Sequence, residues 1–264
     1  MLKYKTRFNY VNCNNSGIAN AKPVTSSSAR LKALLQTRTS WEVIFHKGRI
    51  VKAGPIKEIE EVAEAVGKLS DEAAEKYLDD LLVKEVKINF ELSRQKLLKY
   101  TDAEIERIWA NSPIKVEEMP RQELDRLLEI RKKYPKLKTD NFADLSTQYK
   151  DGKITNRSAH SGRKKYMEGS ADTPNLTNWE TFRDETMLRA NDSEVKLILE
   201  FLNEYAAKNM DDISSISIST MLEPCASCKR VILAFQELTG KEVKIVTNID
   251  VTSNKDLLKL IEQN

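Results

Sequence analysis

The sequence predicts an α/β fold over its C-terminal part, a mixed sheet with helices packed on it, preceded by a mainly helical N-terminal region. Three observations predict it. From Asn191 onward, helical and strand-like periodicities alternate at the lengths of ordinary elements. From Pro55 to Tyr134, apolar residues recur at helical spacing, with capping residues or prolines at the starts. The chain of 264 residues is 40% hydrophobic and 31% charged, enough apolar material for a packed core. No apolar run approaches the ~18 residues of a membrane span.

Taken in order, residues 1–30 are rich in Asn, Ser, Ala and Lys without periodicity and are expected to be poorly ordered. Thr39 to Gly54 alternates like a hairpin around Lys47-Gly48. Ile59, Val62, Val66 and Leu69 mark one amphipathic helix, and Ser70 with Glu72 and Ala73 restarts another. "TDAEIERIWAN" and "PRQELDRLLEIRKKY" add two more. Pro135 to Gly162 is polar and turn-rich, so a boundary is expected near residue 150, giving regions 1–150 and 151–264. Beyond it, "NDSEVKLILEFLNEYAAKN" presents Val195, Ile198, Leu199, Leu202 and Tyr205 on one helix face. "ISSISIST" (Ile213 to Thr220) alternates as a strand, "CASCKRVILAFQEL" turns into a helix stopped by Gly240, "KEVKIVTNI" is a second strand, and "NKDLLKLIEQN" a last helix. Two strands joined through a helix in this way are expected to run parallel.

The net charge of +3 is too small to argue for nucleic acid by itself, and the basic excess lies before residue 153. The N-terminus is basic but lacks the apolar core of roughly 7–15 residues of a secretory leader. Three cysteines, Cys13, Cys225 and Cys228, make no disulfide framework and fit a reducing compartment.

Cys225 and Cys228 follow a strand and Pro224 and open a helix. Three readings stand. The pair can be two small buried residues. It can be a redox dithiol, whose first thiol the helix N-terminus acidifies. A thioredoxin-like site, however, needs further strands and a proline facing the cysteines, and Pro224 is the last proline in the chain. Or the pair holds a metal ion, with zinc favoured by two thiolates. A structural zinc ribbon would need a second such pair or a close His pair, and only Cys13, His46 and His160 remain. A site of two thiolates plus something else leaves room for catalysis.

Upstream, Asp192 and Glu194 sit at a helix start, where a carboxylate is ordinarily a cap or dipole partner. The order of elements gives them another meaning: x-x-E on one helix start, a strand, then P-C-x-x-C on the next helix start. In "NDSEVKLILEFL", "STMLEPCASCKRVILAFQEL" and "KEVKIVTNI" the sequence resembles the cytidine-deaminase-like superfamily, and within it the deaminase domains at the C-termini of bacterial polymorphic toxins. The resemblance covers about residues 155–250 and implies that superfamily's three-layer α/β sandwich. One position departs from the usual pattern: Asp192 stands where His is commonest, as in some toxin branches. Carboxylate oxygen is an acceptable zinc ligand.

The resemblance implies that Asp192, Cys225 and Cys228 hold Zn2+ and that Glu194 is the general acid and base. Zinc would activate the water that displaces ammonia from C4 of cytosine, giving uracil; adenine at C6 would be the same chemistry in another pocket. His160, in a polar loop, can be a solvated residue, a substrate contact at the pocket mouth with Ser161, or an alternative third ligand. Arg163, Lys164 and Lys165 beside Tyr166, with Trp179 and Phe182 beyond, combine cations with stacking surfaces and suit single-stranded nucleic acid. The expected substrate contacts are thus His160, Ser161, Tyr166 and Trp179. Such aromatics are also ordinary core residues. The resemblance points to a nucleic-acid substrate, single-stranded DNA ahead of RNA, to a cognate immunity protein as partner, and to action in the cytoplasm, of its own or a target cell. No membrane association is expected. A deaminase of free nucleosides or nucleotides and a non-catalytic zinc-stabilised interaction module are the alternatives.

Overall fold

The computed structural model describes residues 41–46, 49–134, 140–162, 170–171, 189–208, 210–248, 251 and 254–262. The expected disorder of residues 1–30 lies outside the described residues, as do Cys13, the Arg163–Lys165 run, Tyr166, Trp179 and Phe182. Two units divide the chain: the first takes the described part of 1–89 with 202–209, the second that of 90–201 with 210–264.

In the first unit, β1 (Trp41–His46) and β2 (Arg49–Pro55) form the expected antiparallel hairpin, with a register shift between Ile44 and Phe45. Helix α1 (Ile56–Gly67) follows Pro55 at once. Ser70 then starts α2 (Asp71–Leu97), whose residues from Phe90 onward belong to the second unit, the Ser70 hydroxyl accepting the Ala73 N–H at 3.4 Å. Acidic Asp71 and Glu72 begin α2 and basic Arg94 and Lys96 end it, matching the helix dipole. Ala74, Leu78, Leu82, Val86 and Phe90 recur every fourth residue along α2 and are buried.

The second unit contains α3 (Asp102–Ala110), β3 (Lys115–Glu118), α4 (Arg121–Lys133), β4 (Phe142–Tyr149), β5 (Ile154–His160), α5 (Ser193–Asn203), β6 (Ile213–Thr220), α6 (Ala226–Thr239), β7 (Glu242–Thr247) and α7 (Asn254–Glu262). Thr101 and Glu104 close a capping box at the start of α3. The five strands form one mixed sheet in the order β3-β7-β6-β4-β5. β3, β7 and β6 run parallel, while β4 is antiparallel to both its neighbours. The expected parallel pairing of β6 and β7 across α6 is present.

The sheet corrects the boundary expected near residue 150. That position falls in the turn of the β4–β5 hairpin, and β3 and β4 belong to the same sheet as β6 and β7. The segment looks like a boundary because β4 and β5 carry Asp144, Ser146, Thr147, Thr155, Asn156 and Ser158, which do not mark a strand by hydrophobicity. Four-residue β3 is exposed throughout and shows no alternation either.

Both faces of the sheet are covered. On one, Phe142 packs with Leu124, Leu127 and Leu128 of α4 and with Met119, Met221 and Val251, and Val246 and Leu260 of α7 join them. Alternation sends Ala143, Leu145, Ile216, Ile218, Thr220, Val243 and Ile245 to the opposite face, where all are buried. That face meets α5 through Thr220, whose hydroxyl bonds Glu194 at 2.9 Å. α5 in turn packs on α6, the Phe201 and Phe235 rings edge to face with centroids 5.1 Å apart. Helix, sheet and helix make the three layers expected. The register gathers the start of β4 and the ends of β5, β6 and β7 at one end of the sheet, pairing Phe142 with His160, Ala143 with Thr220 and Thr220 with Thr247. Among the described residues no helix is long and apolar enough to cross a membrane.

Helix α6 stops at Gly240, which adopts φ 60° and donates its N–H to the Gln236 carbonyl at 3.0 Å. A side chain there would meet the steric penalty of the left-handed region. Gly240→Ala is expected to lower the unfolding free energy by about 1 kcal/mol, read as a lower urea midpoint with an unchanged slope.

Candidate metal and proton-transfer site

Two helix starts meet at the crowded end of the sheet. A 3-10 turn over Arg189–Asn191 delivers Asp192, whose carbonyl accepts the Lys196 N–H at 3.1 Å and so caps α5. Across from it, the loop after β6 delivers Cys225 as the N-cap of α6, with extended φ −69° and ψ 167°. One turn of helix later, Cys228 points back to the same place. The Asp192 Oδ2 atom lies 3.3 Å from Cys228 Sγ and 3.9 Å from Cys225 Sγ. One ligand atom from each of Asp192, Cys225 and Cys228 falls within 4.8 Å of the others. Tetrahedral zinc with bonds of about 2.0–2.3 Å sets its ligand atoms roughly 3.3–3.8 Å apart. The residues present therefore fit such an ion, in spacing and in donor chemistry. Among the described residues this is the one such group, and it takes in Asp192 rather than His160.

Charge is arranged to suit a cation. Burial pushes the Asp192 carboxyl up, against hydrogen bonds from Cys228 and contact with Arg189. The Cys225 thiol is lowered to about 7, first by the hydrogen bond that Cys228 donates and then by the Cys228 backbone N–H and Arg189, with burial opposing. Cys228 moves well above its ordinary value because its proton is held by Cys225 and burial disfavours a second thiolate. A divalent ion would take the place of that proton. The Arg189 guanidinium approaches Cys225 Sγ at 3.5 Å and Asp192 Oδ2 at 3.6 Å.

Glu194 lies in the first turn of α5, 2% exposed. Its Oε1 accepts hydrogen bonds from Asn141 Nδ2 at 3.0 Å and Thr220 Oγ1 at 2.9 Å. Its Oε2 accepts from Ser193 Oγ at 3.0 Å and faces Cys228 Sγ at 3.8 Å. Burial holds the Glu194 carboxyl above the usual carboxylate range, and the hydrogen bonds only partly offset it. The site thus combines three atoms that could ligate a metal with a buried carboxyl beside them, its affinity for a proton raised by burial.

Asn141 and Thr220 are residues that sequence reasoning missed. Asn141 was hidden in the polar "TDNFADL" run, and Thr220 read only as the end of a strand. Arg189 was missed too, although three residues before Asp192 on a helical turn is a natural pairing distance. Of the expected substrate contacts, Ser161 sits beside Asn141, giving its N–H to the Asn141 carbonyl and receiving the Asn141 N–H on Oγ, both at 2.8 Å. His160 is 1% exposed. Its Nδ1 lies 2.8 Å from the Ser161 carbonyl and 3.5 Å from Asp140 Oδ2, two acceptors that place a proton on Nδ1. Lys196, itself buried, donates to the His160 carbonyl at 2.9 Å and the Gly162 carbonyl at 2.5 Å. The ring is packed inside rather than offered to a ligand at the surface. His160 pairs with Phe142, so its position belongs to the sheet face opposite Thr220 and Glu194. Glu223 holds Lys229 Nζ at 2.8 Å, and Glu106 holds the same ammonium at 2.6 Å.

The α/β sandwich sets a carboxylate–dithiol group that could hold a metal beside a buried glutamate, between two helix starts. The comparison with protein families agrees: residues 133–253 match the toxin-deaminase family, described as the BURPS668_1122 family of deaminases. The C-terminal part of the chain therefore carries a deaminase domain of the kind its motifs resemble. No curated protein and no solved structure matches the chain.

Because metal replaces thiol protons, zinc affinity is expected to be higher at pH 8 than at pH 6, where Cys225 with its pKa near 7 is largely protonated. A competition titration with a chromophoric chelator at both pH values checks the sign. Asp192→Ala and Cys228→Ser are each expected to weaken binding beyond the ~10–100-fold that loss of an outer-shell partner costs.

Proposed function

We propose that the domain is a zinc-dependent cytosine deaminase acting on nucleic acid, single-stranded DNA in preference to RNA, and that it is the toxin of an interbacterial system with a cognate immunity protein. The observation that carries the reading is Glu194 Oε2, buried and 3.8 Å from Cys228 Sγ, at the edge of the Asp192–Cys225–Cys228 group. The toxin role rests on the family matched over residues 133–253. The polymer substrate rests on the Arg163–Tyr166 stretch of cations and a stacking surface.

Asp192, Cys225 and Cys228 would hold the zinc, which supplies the Lewis acidity that makes a water nucleophilic at neutral pH. Glu194 does the proton work. It takes a proton from the attacking water and delivers it to the ring nitrogen N3, then passes a second to the departing amine. At C4 a C–O bond forms and the C–N bond breaks, so cytosine and water give uracil and ammonia without any redox change. The raised pKa of Glu194 suits this exchange, since a carboxyl poised nearer neutrality both accepts and returns protons. Arg189, 53% exposed at its side chain beside the ligands, offers a cation to a nearby phosphate.

The test is incubation of the purified chain with single-stranded DNA, double-stranded DNA, RNA and free cytidine, read by sequencing and by uracil mass spectrometry. C-to-U conversion is expected in single-stranded DNA first. Glu194→Ala is expected to abolish it while about one zinc per chain remains bound. Conversion of cytidine alone would make the enzyme a nucleoside deaminase. No conversion with zinc retained would leave a zinc-stabilised interaction module.

A further inference from the structure

Asn141 touches the end of β5, the start of α5, the end of β6 and the loop after it. Its backbone exchanges two hydrogen bonds with Ser161 at the end of β5. Its side-chain Oδ1 accepts the Leu222 N–H at 3.1 Å, in the loop that leads to Cys225. That bond fixes which way the amide faces, because only the oxygen can accept a backbone N–H. Nδ2 must then point the other way, and there it meets Glu194 Oε1 at 3.0 Å, Thr220 Oγ1 at 2.8 Å and Ser193 Oγ at 3.1 Å. Thr220 adds a second donor to the same Glu194 oxygen at 2.9 Å.

The two carboxylate oxygens of Glu194 are therefore unequal. Oε1 is held by two side-chain donors, one from Asn141 just before β4 and one from Thr220 of β6, on the side away from the thiols. Oε2 has the Ser193 hydroxyl and otherwise faces the Cys228 sulfur. We propose that Asn141 is a positioning residue for the reaction: with Thr220 it pins Oε1 and so presents Oε2 as the oxygen that carries protons between water and base. This rests on the deaminase reading above. The Leu222 bond gives the same amide a second task, since it ties the carboxylate's orientation to the loop that carries Cys225. Thr220 makes a second such link, its hydroxyl lying 2.9 Å from Glu194 Oε1 and 3.1 Å from the Leu222 carbonyl. An apolar residue could fill the space but would leave Glu194 and the Leu222 N–H buried without these partners.

The test compares Asn141→Ala, Asn141→Asp, Thr220→Val and Thr220→Ser with the wild-type chain on single-stranded DNA. Zinc content and thermal midpoint are measured for each. Asn141→Asp keeps the side chain's size while turning a donor into an acceptor, so it guards against a variant that merely fails to fold. The expected result is a kcat lower by roughly 10–100-fold in Asn141→Ala, Asn141→Asp and Thr220→Val, the scale of outer-shell losses. KM and zinc stoichiometry are expected to stay near wild type, with kcat restored in Thr220→Ser, which keeps the hydroxyl. Wild-type kcat in Asn141→Asp overturns the proposal. So does a loss that appears equally in KM, zinc content and thermal midpoint, because that is the mark of a structural residue. A wild-type chain that converts no base fails earlier, at the deaminase reading, and takes the positioning role with it.

Discussion

Everything at this end of the molecule answers to one buried carboxyl. Taking an ionised carboxylate out of water costs several kcal/mol unless donors replace the solvent. Glu194 is supplied with three hydroxyl or amide donors, drawn from α5 itself, from the residue before β4 and from β6. It also lies in the first turn of α5, where the unpaired N–H groups and the helix dipole favour negative charge. The compensation is incomplete, and the carboxyl's affinity for a proton stays raised. A carboxyl raised in this way suits the acid–base role proposed for it. A better-solvated glutamate would be easier to fold around and a weaker base.

The sheet topology makes this meeting unavoidable. Parallel strands place their C-terminal ends on one side, and the loops leaving them converge there. β6 ends at Thr220, the chain turns through Leu222 and Glu223, and α6 begins with its thiols at the same level. Lys229, buried one residue beyond Cys228, locks the turn by pairing with Glu223 and Glu106 and lies 5.6 Å from the centre of the Trp109 ring. Antiparallel β4 enters from the opposite direction, so its start, not its end, reaches the site. That reversal is how Asn141, more than fifty residues before Glu194, comes to lie against it.

The legible parts of the sequence were those with a strong period or a stereochemical marker. β6 was read residue for residue because its isoleucines alternate with serine and threonine, and α6 because Gly240 must end it. The cysteines and Asp192 could be grouped because their order along the chain matched a known succession of elements, and the structure brings their ligand atoms together. β4 is buried on both faces yet is polar at Asp144, Ser146 and Thr147. Its strand character comes from neighbours on either side, which no local pattern can report. Asp144 illustrates the point: it is buried only because Arg126 of α4 reaches it. Asn141 was invisible for a related reason. An asparagine before a strand is usually a turn residue, and its partners lie at Glu194, Thr220 and Leu222, distant in sequence. His160 misled in the other direction, because a histidine beside a serine and a glycine looks solvent-facing until the buried Lys196 is found closing over its carbonyl.

The β4–β5 turn, with Gly152 at φ 86° and the Tyr149 N–H bonded to the Lys153 carbonyl, lies at the end of the sheet remote from the thiols. It also stands between Asn141 and every other residue that contacts Glu194. The backbone is therefore divisible there into two pieces of unequal chemistry. One keeps Asp192, Glu194 and the thiols; the other keeps the amide that bonds Glu194. Lengthening the turn leaves those contacts whole, whereas cutting it makes them conditional on the two pieces finding each other.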